Sequence, residues 1–118
     1  MKWFMAKLVF RIICGEGKHT PQFDEQLRLV AADTTEDAYQ KAVHLGQSGQ
    51  ETFENDRQQL VRWLFIDVSE LYPLALIDGA ELHSRINEVD DAYNYTELVH
   101  AKAEDIRQQK SLHLTPLH

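Results

Sequence analysis

Cysteine is nearly absent from this 118-residue chain. The one thiol, Cys14, cannot close an intramolecular disulfide or furnish a thiolate zinc site, which excludes the two usual staples of small secreted domains. A reducing cytoplasm is the expected location. Basic residues are few as well, 12 Lys and Arg against 19 Asp and Glu, for a formal charge of -7. Such a chain repels polyanions over any distance that salt does not screen, so DNA, RNA and anionic membranes are not expected partners. Lys7, Arg11 and Lys18 are too sparse for a nucleic-acid stripe. No apolar run approaches the roughly twenty residues that span a bilayer. Lys7 and Arg11 interrupt the N-terminal apolar stretch before it reaches the roughly seven residues of a signal peptide, and Ile13 before Cys14 is not the small residue of lipoprotein processing. The N-terminus is therefore expected to stay in the fold. No serine or cysteine stands in a nucleophile elbow, and Gly15-Glu16-Gly17 lacks the following helix and carries an acid that would repel phosphate. No repeat, low-complexity block or cofactor pattern is present.

What remains is material for one core: 43% hydrophobic and 26% charged residues in 13.7 kDa. The reading is a single α+β domain over residues 1–109 with a flexible tail at 110–118. Residues 3–14 alternate, with Phe4, Ala6, Leu8, Phe10, Ile12 and Cys14 on a core side and Trp3, Met5, Lys7, Val9, Arg11 and Ile13 on the other. Turn chemistry at 15–18 leads to a second strand over 23–31, in which Phe23, Leu27, Leu29 and Ala31 alternate with polar residues. Thr34 or Thr35 caps a helix over about 35–46, with Glu36 and Asp37 in its first turn. Residues 46–59 are polar and are expected to form a surface loop or a ragged strand start. Leu60–Val68 predicts a central strand, and Ala80–Ile86, after the Asp78-Gly79 turn, a fourth with one wet face. Asp90, Asp91 and Asn94 can cap a last helix to about Gln109, with Tyr95, Leu98, Val99, Lys102 and Ile106 on one stripe.

The predicted fold is thus ββαββα, a four-stranded antiparallel sheet in the order 2-1-3-4 with both helices on one side. If strands one and three are neighbours, Trp3, Met5, Val9, Val61, Trp63 and Phe65 share the opposite face. That is more apolar area than a monomer usually leaves wet. A second copy of the chain, the C-terminal segment or a bound ligand must cover it, and self-association is the expected answer.

Two polar constellations are the candidates for chemistry. Glu81, His83 and Arg85 alternate on the polar side of the fourth strand, with Asp67 or Glu70 nearby, and a histidine between a carboxylate and a guanidinium can do acid/base work in a cleft. The competing reading is a charged edge that discourages sheet extension. Glu97, His100 and Glu104 share a helix side as half of a carboxylate metal site, but the other half is missing, so a solvated face and no metal are expected. Cys14, ending a core strand, is expected to be buried and inert.

Four motifs arrive in order: Lys2-Trp3-Phe4-x-Ala6-Lys7-Leu8-x-Phe10, Thr35-Glu36-Asp37-Ala38-Tyr39-x-Lys41-Ala42, Trp63-x-Phe65-x-Asp67-Val68 and Asp78-Gly79-Ala80-Glu81-Leu82-x-Ser84-Arg85. Together they resemble the short, mostly bacterial proteins of domain-of-unknown-function family 4288, over roughly residues 1–89. The resemblance implies no activity and no catalytic residue. The leading functional expectation is a non-catalytic binding or interaction module acting as a homodimer, with an unknown protein or a small-molecule ligand as further partners. The alternative is a small enzyme using His83 with Glu81 and Arg85.

Overall fold

The computed structural model describes residues 1–109. Contacts divide the chain into two compact units, Met1–His83 and Ser84–His118, which are taken in turn. In the first, strands β1 (Lys2–Cys14), β2 (Gln22–Ala32), β3 (Glu51–Glu54) and β4 (Leu60–Leu74) form one antiparallel sheet, and helix α1 (Thr35–Ser48) joins β2 to β3. The sheet order is β2-β1-β4-β3.

The α+β class and the element string hold, but the fourth strand is a different piece of chain. Ala80–Ile86 is not a strand, although its residues alternate. The far edge of Leu60–Leu74 is taken instead by Glu51–Glu54, within the stretch expected to be a surface loop or a ragged strand start. In residue terms the first three strands lie side by side as predicted, and 51–54 stands where 80–86 was expected. Alternation makes a strand only where an edge is free to pair with it. The short hairpin through Asn55, whose carboxamide Oδ1 accepts from Arg57 N (2.9 Å) and Gln59 N (3.0 Å), places 51–54 on that edge.

Phe4, Ala6, Leu8 and Phe10 do form the core side of β1, joined by Val30, Ala32, Ala38 and Ala42. Thr34 Oγ1 accepts from Asp37 N at 3.1 Å, which fixes the start of α1. The helix lies on the sheet along Ala38, Ala42 and Gly46, all buried. A Cβ at Gly46 would stand 2.2 Å from the Phe65 ring, so that position has room for glycine alone.

β4 carries two register shifts against β1, so Ile66 and Ser69 have no partner in the ladder. Each extra residue flips the faces beyond it. Trp63, Phe65, Val68 and Leu71 consequently all pack against the core beneath α1. The shared face expected for Trp3, Met5, Val9, Val61, Trp63 and Phe65 is therefore wrong. Trp63 pairs with Ile12, Phe65 with Phe10 and Val61 with Cys14, on the α1 side, while Trp3, Met5 and Val9 face the other way.

In the second unit, helix α2 (Ala92–Gln108) starts where Asp91 Oδ1 accepts from Asn94 N at 3.1 Å, as expected of that aspartate. Within this unit Tyr95, Leu98, Val99 and Ile106 are left uncovered. The tail predicted at 110–118 lies outside the described residues.

Candidate functional site

The sheet face opposite α1 is the most distinctive surface of the first unit. Register with β1 puts Phe23, Leu27 and Leu29 of β2 on it, opposite Arg11, Lys7 and Met5. They are 50%, 56% and 51% exposed, and Trp3 beside them is 38% exposed, whereas Met5 is buried. The alternation read in β2 is real, but it points away from the core.

Lys7, Glu25 and Glu70 on this face satisfy one another. Lys7 Nζ lies 2.6 Å from Glu70 Oε2 and 3.4 Å from Glu25 Oε1, and Tyr72 donates its hydroxyl to Glu70 Oε1 at 2.8 Å. The hydrogen bond from Lys7, then that from Tyr72, hold the Glu70 carboxyl below the ordinary glutamate range, and Glu70 in turn raises Lys7. The chain after β4 folds back so that His83 Nε2 reaches 3.9 Å from Glu70 Oε1, with its ring 5.1 Å from that of Tyr72. His83 thus meets the carboxylate that strand position suggested. Glu81 is exposed and outside any regular element, and Arg85 falls in the second unit. The expected alternating strand that would have aligned the three is missing, and His83 lines none of the cavities described below.

Three concavities stand out among the described residues. One, of about 740 Å³, sits at the β1–β2 hairpin and is lined by Cys14, Lys18, His19, Thr20 and Gln59. Cys14 is half-buried there, not fully buried as expected, because it lies at the strand end and not between packed strands. Its Sγ is 3.4 Å from Gln59 Oε1 and 3.5 Å from Asn55 Nδ2. His19 Nε2 accepts from the Cys14 backbone N–H (3.0 Å) and its Nδ1 meets the Thr20 carbonyl (2.9 Å). Those partners require the proton on Nδ1, so the imidazole is a brace across the turn, with no lone pair left for the thiol.

The second, about 380 Å³, lies on the α1 side beyond Gly49, between β2 and the Phe53–Trp63 ring pair. Its β2 wall is a relay that sequence reading missed: Arg28 Nε donates to Gln26 Oε1 (3.2 Å), Gln26 Nε2 to Asp24 Oδ2 (2.7 Å), and Trp63 Nε1 to the same oxygen (3.0 Å). The signal was the Asp24-x-Gln26-x-Arg28 spacing, which alternation alone puts on one face. The third, about 400 Å³, flanks α1 at Tyr39, where the Tyr39 hydroxyl donates to Asp67 Oδ1 (2.8 Å). Asp67 is lowered by the Val68 N–H first and by Tyr39 second.

Of the metal candidates, Glu104 is engaged by Arg107 and by Gln108 Nε2. Glu97 and His100 are exposed beside it on α2, and among the described residues no group of three His, Cys, Asp or Glu is placed to hold an ion. No described helix is long and apolar enough to cross a membrane, which leaves membrane-crossing β-barrels unaddressed.

Geometry therefore defines a small α+β domain built on a four-stranded antiparallel sheet, covered by α1 on one side and with the exposed row Phe23, Leu27 and Leu29 on the other. The chain belongs to the family described as a domain of unknown function, DUF4288, whose pattern matches residues 3–84. That span ends a few residues before the 89 expected from the motifs and beside the end of the first unit. No curated protein and no solved structure is matched by the chain.

Proposed function

We propose that this domain is a non-catalytic interaction module that works as a homodimer in the cytoplasm, joined at the part of the sheet that β2 and Trp3 make apolar. The observation that carries the reading is the exposed row Phe23, Leu27 and Leu29 on a strand with no neighbouring strand beyond it among the described residues. Patches of this kind mark association surfaces on soluble proteins. Val61, Trp63 and Phe65 drop out of the joint because they lie on the α1 side, Val61 buried and the two rings packed against the core. Lys7, Glu25 and Glu70 at the centre of the face are paired with one another, which favours a mainly apolar partner surface there over a charged ligand. A second copy offers that surface, and a two-fold contact is the commonest closed arrangement for one repeated patch. The single thiol fits the reducing compartment.

Light scattering at micromolar concentration should give twice the 13.7 kDa chain mass, and Leu29→Glu should return it to the chain mass with an unchanged circular dichroism spectrum. A wild-type monomer at about 100 micromolar would overturn the reading.

A further inference from the structure

We infer that the joint is strand β2 itself, laid antiparallel against the same strand of a second copy with Gln26 opposite the partner's Gln26. This rests on the homodimer reading and adds the strand, the register and the pairs. β2 closes one end of the sheet, with β1 on one side and, among the described residues, no strand on the other. Natural edges of this length are normally blunted by charge. Here the charges are arranged so that the strand complements itself.

A two-fold axis normal to the sheet runs two copies of an edge strand antiparallel and keeps like faces together, so opposed residues have numbers of even sum. With the axis at Gln26, Asp24 faces the partner's Arg28 and Arg28 faces the partner's Asp24. Both residues are on the α1 side, since they pair with Phe10 and Ala6 of β1. On the other side Phe23 faces the partner's Leu29, and the reverse. Moving the axis to Glu25 opposes two glutamates. Moving it to Leu27 leaves Asp24 against valine and Arg28 against glutamine, and axes at Asp24 or Arg28 oppose like charges. Cross-strand neighbours of opposite charge support a ladder and like charges weaken it, so one register is selected.

The side chains are prepared for it. Asp24 Oδ2 is held by Gln26 Nε2 and Trp63 Nε1, which leaves Oδ1 for a further donor. Arg28 spends Nε on Gln26 and keeps its two terminal nitrogens. Glu25 is answered by Lys7 of its own chain, and the Lys41 Nζ bond to the Ala31 carbonyl lies past the paired stretch.

The test is a charge-exchange cycle read by sedimentation equilibrium. Arg28→Asp and Asp24→Arg should each weaken the homodimer at least tenfold, and their equimolar mixture should form a heterodimer of wild-type strength, seen by native mass spectrometry. Asp24→Arg removes the Trp63 partner and can fail to fold. In that case Gln26→Cys in a Cys14→Ser chain serves: on the axis it should oxidise to a covalent dimer, while Leu27→Cys, facing the partner's Glu25, should not. A wild-type monomer defeats this inference together with the homodimer reading. A dimer that Leu29→Glu disrupts, but that Arg28→Asp leaves intact and Gln26→Cys does not cross-link, defeats the register alone.

Discussion

Lys7 is a charged residue in the middle of a strand whose other face is the core, and it stays there because two carboxylates meet it. Its ammonium lies 2.6 Å from Glu70 and 3.4 Å from Glu25. Glu70 is lowered on folding, so the stability it contributes is present above the ordinary glutamate pKa and is lost as pH falls through the lowered value. Lys7 is raised, so its contribution is present below the ordinary lysine pKa and fades as pH rises through the raised value. Glu70→Gln should therefore lower the thermal midpoint at pH 7. The gap to wild type should close as pH falls through the lowered Glu70 value, where the wild-type carboxyl also becomes neutral. A gap of constant size from pH 7 to pH 3 would mean that Glu70 acts through packing and not through charge. His83 shares the same carboxylate, so a histidine singled out for acid/base work proves to be a neighbour of a structural ion pair.

At the scale of elements, α1 and β4 are locked together by a missing atom. Gly46 lets the helix approach until the Phe65 ring occupies the space of a side chain, and Phe65 in turn rests on Phe10 at 5.5 Å between centroids. Gly46→Ala gains helix propensity of about 1 kcal/mol but must displace a ring wedged in the core. A net loss of roughly 1–2 kcal/mol, near 5 °C or more in thermal midpoint, is expected from calorimetry. An unchanged or higher midpoint would show that Phe65 yields freely. Elements with their own punctuation were legible beforehand: β1 from its alternation, α1 from Thr34 and its acidic first turn, α2 from Asp91. β3 was not, because Glu51–Glu54 is four exposed residues whose pairing comes from the long strand beside them. Ala80–Ile86 misled in the opposite sense, since it has the period of a strand and no ladder partner. The faces of β4 were unreadable because Ile66 and Ser69 are ordinary strand residues, and nothing in their identity says that the ladder skips them. The hairpin brace of His19 was likewise silent, as its role depends on where the turn lets the ring lie.

For the whole molecule, the family pattern at 3–84 and the first compact unit at Met1–His83 describe nearly the same piece of chain. The apolar row, all three cavities and the relay from Arg28 to Trp63 belong to it. The hairpin that ends β1 at Cys14 also ends the sheet lengthwise. In an antiparallel pairing about Gln26 the two hairpins sit at opposite tips, and six residues of strand on either side of the axis separate the two thiols by about 40 Å. A disulfide needs its Cα atoms within about 7 Å. A dimer joined in this register would be blind to oxidant: diamide or air should leave the wild-type chain running as a monomer on a non-reducing denaturing gel, with its mass under native conditions unchanged.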